Sequence, residues 1–212
     1  MDLKGLGADD VPYPVTLHDV YAQDGVTVKT GNPYRNNAWE EFYRALHARY
    51  LGIVEAKAPI GFSFHTDDLY GVEKPGKMFY KHLEGQSLEA VIKVEDDEFL
   101  HWALWETGKF FSRLINANLY LEDPHRLGNY FIENSPIANV FRFLDLERVR
   151  YVRAYSNEMK IKMLEEFIKA ACEEGFIASP KSLCEFVMIC VGARMSSADL
   201  IKRFLSQPSI KL

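Results

Sequence analysis

A short polar stretch carries the densest group of side chains able to do chemistry. His65, Asp67 and Asp68 lie close together, and Tyr70 and Glu73 follow shortly after. An imidazole and two carboxylates could hold a divalent cation, or could supply a general base and its orienting partner. The spacing has no fixed mechanism, since paired aspartates are also common in turns. One hypothesis is therefore a metal-assisted or acid/base hydrolase or transferase centred on these three residues, and the alternative is a plain solvated loop.

The three cysteines support neither a metal centre nor a nucleophile. Cys172, Cys184 and Cys190 include no Cys-x-x-Cys pair, and each lies in an apolar context that is expected to raise the pKa of its thiol. The chain also has no Gly-x-Ser-x-Gly elbow and no glycine-rich phosphate loop of the usual kinds. The sequence therefore predicts no metal site and no cofactor, and it leaves open whether the protein is an enzyme.

Arginines and tyrosines alternate in a second group, which comprises Arg142, Arg148, Arg150, Arg153, Tyr151 and Tyr155. Guanidinium groups bind phosphates and acidic protein surfaces, and tyrosine rings can stack on bases. The other interpretation is a charged face balanced by neighbouring carboxylates. A nucleic-acid-associated protein using residues 142–155 is thus a further alternative, which the net charge of −5 disfavours without excluding.

Two tryptophans lie on the charged side of a helix predicted over residues 96–116. Periodicity places the apolar residues on one face, and Trp102 and Trp105 on the other with Lys109 and Arg113. Tryptophan and arginine are enriched where interfaces concentrate their binding energy, although a second layer of structure could instead cover these rings. The leading hypothesis is a small intracellular interaction protein, a regulator, inhibitor or assembly component, that binds another protein or a second copy of itself. Its expected surface comprises Trp102, Trp105, Lys109, Arg113, Arg148, Arg150, Tyr151 and Arg153.

The composition excludes several classes of protein. The 212 residues are 48% hydrophobic and 13% aromatic, which is too apolar for a disordered chain. No apolar run is long enough to span a membrane, the N-terminus does not resemble a signal peptide, and free thiols suit a reducing cytosol. We expect a soluble cytoplasmic protein with a single domain over residues 1–212 and a possible helical subdomain over 156–206.

The first half is predicted to contain most of the strands. Strands at 15–22 and 26–30 flank Asp24-Gly25, a dipeptide typical of two-residue hairpins. A helix follows over 37–51, and three further strands are expected at 59–65, 77–83 and 88–94. The apolar residues of that helix recur at helical spacing and are expected to face the core; they are Trp39, Phe42, Tyr43, Leu46 and Tyr50.

The second half is predicted to be mainly helical. A short helix is expected over 136–144, where Ile137, Val140, Phe141 and Leu144 share a face, while 148–155 fits either a strand or a helix. Three helices are expected to begin at Ser156, Ser179 and Ser196. The fold class is therefore α+β with helix in excess: a small antiparallel sheet packed on the helices at 37–51 and 96–116, with a helical C-terminal third.

Overall fold

The computed structural model describes residues 20–23, 26–30, 37–57, 59–63, 77–94, 97–146, 148–176, 179–192 and 202. Within these ranges it contains five α-helices and small antiparallel sheets, which confirms the α+β class with helix in excess. The described residues do not include Asp24-Gly25, the helix predicted from Ser196 apart from Lys202, or the enzyme candidates His65, Asp67 and Asp68 with Tyr70 and Glu73.

Contacts divide the chain into two compact units. The first comprises Met1–Phe42 and Pro59–His82, and the second comprises Tyr43–Ala58 and Leu83–Leu212. The single domain over 1–212 and the helical subdomain over 156–206 stay predictions.

A four-stranded antiparallel sheet forms the first unit. Its strands are β1 (Val20–Gln23), β2 (Val26–Thr30), β3 (Pro59–Ser63) and β4 (Lys77–Lys81), in the order β1-β2-β4-β3. Gln23 pairs with Val26, as the predicted hairpin requires. The strands expected around residues 60 and 80 also pair with each other, so these sheet predictions are confirmed for the described residues.

Helix α1 (Asn37–Tyr50) begins at the predicted residue and ends one residue before the predicted end, but it does not have the predicted buried face. Tyr43, Leu46 and Tyr50 are 56%, 43% and 87% exposed, whereas Ala45 and Ala48 are buried. The prediction that Tyr43, Leu46 and Tyr50 face the core is therefore wrong. Small side chains let a helix approach its neighbours closely, and the periodicity of the large apolar residues did not reveal this second, alanine-lined face.

The strand expected at 88–94 is wrong, because this segment is helix α2 (Leu88–Val94). The three residues directly before it form strand β5 (Gly85–Ser87). The Ser87 hydroxyl accepts a hydrogen bond from the Ala90 amide at 3.3 Å, as an N-cap side chain does. The buried residues of α2 are Leu88, Val91 and Ile92, which follow helical spacing. An apolar run as short as 88–94 can form either a helix or a strand, so the sequence alone did not decide between them.

Helix α3 (Asp97–Asn116) is confirmed and leads into the strands that follow it. They are β6 (Leu119–Leu121), β7 (Tyr130–Glu133), β8 (Val140–Phe143) and β9 (Val149–Tyr151), with a 3-10 helix at Leu127–Asn129. β5, β7 and β8 form one antiparallel sheet, and β6 pairs with β9 in another. Within residues 148–155, where the sequence fits either a strand or a helix, Val149–Tyr151 form a strand.

The short helix expected over 136–144 is wrong. Strand β8 pairs with β7, and along it Phe141 and Phe143 are buried while Val140 and Arg142 are only partly buried. That is the period of two of a half-buried strand. Ile137, which the helical pattern placed on the apolar face, is 95% exposed.

Two predicted helices close the described part of the second unit. Helix α4 (Asn157–Glu173) is capped by Ser156, whose hydroxyl accepts from the Met159 amide at 3.1 Å. Helix α5 (Pro180–Val191) is capped by Ser179, whose hydroxyl accepts from the Ser182 amide at 3.1 Å. Their starts are therefore confirmed together with the capping chemistry that predicted them.

The core of the second unit is largely aromatic. Phe110 on α3 packs on Phe143 with ring centroids 4.8 Å apart, and Tyr130 packs on Phe167 at 5.2 Å. Edge-to-face and offset contacts of this kind add to the free energy gained from burial alone. The connected rings are Phe110, Phe111, Tyr130, Phe141, Phe143, Phe167 and Phe186.

Candidate interaction surface

Trp105 is partly exposed near the middle of helix α3. Its side chain is 42% exposed, and the Lys109 ammonium lies 5.9 Å from the centre of its ring. The same ammonium bonds to the Glu106 carboxylate at 2.7 Å. Because residues four apart share a helix face, Trp105 and Lys109 present an aromatic plane with a cation above it.

Beside Trp105 an apolar cleft opens between helices α3, α4 and α5. Leu104, Phe176 and Ile189 contribute apolar lining, and His101 and Glu185 add polar groups with their side-chain atoms 3.7 Å apart. Its free volume of about 30 Å³ is far below the roughly 300 Å³ or more of a small-molecule site. We call Trp105, Lys109 and this cleft the Trp105 surface.

A glycine explains why α5 approaches α3 so closely at this cleft. A Cβ atom placed on Gly108 would lie 3.0 Å from Cγ2 of Ile189, which is tighter than ordinary van der Waals contact. Because Gly108 has no side chain, Ile189 can approach the α3 backbone closely, and it lines the same cleft as Trp105.

Trp102 lies in different surroundings from Trp105. It is half-buried and stacks on Phe99 with centroids 5.7 Å apart, at an interplanar angle of 12°. Both rings line an open groove of about 400 Å³ with Glu98, Ala138 and Asn139. The structure thus places the two tryptophans on one helix but in two separate depressions.

Arg113 neutralises a buried carboxylate. It forms an ion pair with Glu55, a residue that is only 4% exposed. A buried carboxylate without a partner would be costly, so this pair ties the segment after α1 to α3. The charge of Arg113 is therefore engaged inside the second unit, although its side chain remains 40% exposed.

Carboxylates accompany most of the arginines around β9. Arg142 bonds to Glu133 at 2.8 Å across the β7–β8 hairpin, and Arg150 bonds to Glu122 at 2.9 Å. Arg148 lies 3.6 Å from Asp123. These pairs agree with the expectation of a balanced charged face more closely than with a free phosphate-binding run.

The remaining members of this group differ in exposure. Tyr151 is 65% exposed on β9, and Arg153 is exposed with no ion pair to any residue that the structure describes. Tyr155 is half-buried and its hydroxyl lies 3.1 Å from the Met163 sulfur. Tyr155 is therefore tied to the core, and Tyr151 with Arg153 is available to solvent.

Sequence reasoning missed a polar loop that precedes strand β7. The Leu144 amide donates to the Asn129 carbonyl at 2.9 Å, which brings the next residue, Asp145, beside the loop from Asp123 to Asn129. The buried Tyr130 hydroxyl donates to the Pro124 carbonyl at 2.7 Å and fixes this loop from below. Residues 130–143 form a hairpin that brings Asp145 back to this loop. The sequence alone did not predict the hairpin and so did not place Asp145 near the loop.

Other chemical groups on the described residues are sparse. No set of three or more His, Cys, Asp or Glu side chains among the described residues could hold a metal ion, and no described helix combines the length and apolarity needed to cross a membrane. Burial raises the pKa of the Cys172 thiol and raises that of Cys190 well above its usual range. Both thiols are thus poor nucleophiles, as their apolar context predicted.

Comparison with known proteins shows a likeness of fold to solved structures. No protein-family model matches the chain, and no curated protein matches it either. Among solved structures, one described as WaaP in complex with acyl carrier protein matches with a TM-score of 0.62 and 14% sequence identity. The alignment covers 92% of this chain and 85% of that one. At this level of identity, the likeness to WaaP is one of fold.

Proposed function

We propose that this protein is an interaction protein that binds another protein through the Trp105 surface. The observation that carries the proposal is the exposed Trp105 ring beside an apolar cleft with charged groups at its rim. Binding energy concentrates in such places, because a large rigid ring can insert into a partner while the rim excludes water. The solved structure with a similar fold is itself described in complex with a protein, which supports a protein partner here.

The partner is sought with matched variants. Full-length wild-type protein, Trp105→Ala and Tyr151→Ala are each used for affinity purification from cells of the source organism. Tyr151 serves as the control because it is also an exposed aromatic residue but lies on β9. The recovered partner is then purified and titrated by calorimetry, with purified acyl carrier protein as a defined second titrant.

Trp105→Ala is expected to weaken the binding of the partner by about thirtyfold, corresponding to the roughly 2 kcal/mol of a hot-spot residue, while Tyr151→Ala leaves it within about twofold. Light scattering with the same variants tests whether the partner is a second copy of this chain. Equal affinities of the wild type and Trp105→Ala for every recovered partner, together with identical oligomeric states, would show that this surface is not the binding site.

A second candidate function is Mg²⁺-dependent phosphoryl transfer, favoured by the polar loop before β7. In protein kinases a catalytic loop carries an aspartate and, a few residues on, an asparagine, and a second aspartate later in the chain helps to hold Mg²⁺. Asp123, Asn129 and Asp145 follow this order, and the hydrogen bond from Leu144 to Asn129 brings the last two together. Mg²⁺ is often bound through only one or two carboxylates plus phosphate oxygens and water, so a larger cluster is not required.

This candidate predicts binding of a nucleotide with Mg²⁺. ATP with Mg²⁺ at one hundred times its dissociation constant is expected to stabilise the wild type by about 2.7 kcal/mol, and the isosteric Asp145→Asn variant is expected to lose this effect. Glu158→Gln, on the exposed first turn of α4, is the control that keeps it. Thermal unfolding with and without Mg²⁺ measures the shift, and its absence in the wild type at millimolar ATP contradicts this function.

A further inference from the structure

Strand β9 is paired on only one of its two edges with a strand that the structure describes. Its partner is β6, with Tyr120 opposite Arg150. The Val152 amide donates to the Asn118 carbonyl at 2.8 Å, and the Glu122 amide donates to the Arg148 carbonyl at 3.0 Å. These two bonds fix the alternation of bonded and non-bonded pairs along the whole ladder.

That alternation determines which backbone groups face away from β6. Arg150 belongs to a bonded pair with Tyr120, whereas Tyr151 and Val149 belong to non-bonded pairs. The Val149 amide already donates to the Leu146 carbonyl at 3.1 Å. The N–H and C=O groups of Tyr151 therefore point outward, at a residue whose side chain is 65% exposed.

Several arginines lie along and next to strand β9. Asp123 lies within 3.5 Å of Arg126 and 3.6 Å of Arg148, so two guanidinium groups share one carboxylate. Glu122 is taken by Arg150, and Arg153 has no carboxylate among the described residues. Arg153, two residues from Tyr151, thus carries a positive charge that no described carboxylate pairs with, close in the chain to the outward-facing backbone of Tyr151.

We propose that the open edge of β9 binds an acidic peptide segment in extended conformation, which adds to the β6–β9 sheet as a further strand. Main-chain hydrogen bonds to Tyr151 provide the pairing, and carboxylates of the peptide meet the side chains of Arg148 and Arg150 along the strand and of Arg153 just beyond its end. This binding mode does not involve the Trp105 surface and takes a different class of ligand, an extended segment instead of a folded partner.

A peptide fits this edge better than a nucleic acid does. The backbone donor and acceptor of Tyr151 match the repeat of another strand, which a phosphate backbone does not offer. Arg150 covers the face of Tyr120, with its guanidinium 5.4 Å from the ring centre, so this ring cannot stack on a base.

The test compares two substitutions at one position in the full-length protein. Tyr151→Pro removes the outward N–H group while leaving the bonds to β6 intact, since proline is tolerated where an edge N–H faces solvent. Tyr151→Ala removes the same ring and keeps the N–H group. The probe is a fluorescent peptide of about ten residues with alternating Glu and Thr, measured by anisotropy beside a Gln-for-Glu version and an oligo(dT) of equal length.

The Glu peptide is expected to bind Tyr151→Pro at least tenfold more weakly than Tyr151→Ala, and to bind the wild type more tightly than either comparison ligand. Trp105→Ala is expected to leave this binding unchanged, which separates the result from that for the Trp105 surface. Equal affinities of the Pro and Ala variants, or tighter binding of oligo(dT) than of the Glu peptide, overturn the proposal.

A charge-reversal variant keeps the test decisive should Tyr151→Pro fail to fold. Arg153→Glu changes an exposed residue that has no ion pair in the described part of the chain. It is expected to weaken Glu-peptide binding several-fold and to reduce its salt dependence. Unchanged binding by Arg153→Glu overturns the proposed charge contacts, and with them the assignment of an acidic ligand.

Discussion

Lys57 is the described residue whose ionisation is most strongly altered towards neutral pH. Its amide donates to the Phe143 carbonyl at 3.0 Å, which holds the residue against strand β8. Burial lowers the pKa of its ammonium group to about 8, an effect that the nearby Glu133 carboxylate only partly opposes. Folding thus favours the neutral form of the Lys57 side chain over its protonated form.

Replacing Lys57 with Met is expected to stabilise the protein at pH 7, since the buried charge is removed. A lysine in the unfolded chain keeps its proton up to about pH 10.5, while in the folded protein it loses it near pH 8. Between these values the unfolded state binds more protons than the folded state. The free energy of unfolding of the wild type therefore increases with pH relative to that of Lys57→Met. Urea unfolding from pH 7 to 10.5 measures this. A difference between wild type and Lys57→Met that does not shrink with pH contradicts the assignment.

At the scale of the elements, the junction between β5 and α2 depends on one glycine. Gly85 has a φ of +154°, and a Cβ atom there would overlap the Ile132 carbonyl oxygen across the β5–β7 ladder. In the β5–β7 pairing, the Gly85 backbone therefore lies so close to the Ile132 backbone that no side chain fits at position 85. Because α2 begins directly after β5, the position of this helix depends on the same contact.

Gly85→Ala is expected to destabilise the second unit by at least about 2 kcal/mol, combining backbone strain with the overlap. Gly128→Ala is the matched control, because a Cβ atom there meets nothing within 4 Å. Its effect should stay within about 0.5 kcal/mol. The midpoint of urea unfolding compares the two variants, and equal midpoints would show that the approach at Gly85 is not required.

The long, capped elements are those that the sequence predicts well. Ser156 and Ser179 cap their helices as expected, because capping is a local interaction between residues three apart. Residues 88–94 and 136–144 were assigned wrongly because seven to nine residues do not separate a period of two from one of 3.6. Their structure is set by partners that are distant in sequence, such as Tyr130 opposite Phe143.

For the candidate site too, the sequence predicted the features that depend on neighbouring residues and not those that depend on distant ones. The exposure of Trp105 followed from a helical projection, which uses neighbouring residues only. The ion pair between Arg113 and Glu55 and the cleft formed with Ile189 join segments far apart in the chain, so a single sequence did not reveal them. His65, Asp67 and Asp68 stay a hypothesis about residues outside the described ranges.

At the scale of the whole molecule, the high aromatic content has two uses. Seven rings form the connected core of the second unit, among them Phe110, Phe111, Phe141 and Phe167. A smaller number of aromatic residues remain on the surface of the same unit, including Trp105 on α3 and Tyr151 on β9. The second unit therefore carries both proposed binding surfaces on one continuous core.

The connection between β7 and β8 offers a practical use of this arrangement. Ile137, 95% exposed in this connection, belongs neither to the Trp105 surface nor to the β9 edge. Exposed tips of this kind tolerate insertions and chemical tagging better than paired strands do. A fluorophore attached at this residue, through a cysteine introduced in place of the isoleucine, would report complex formation at either surface without competing with the ligand.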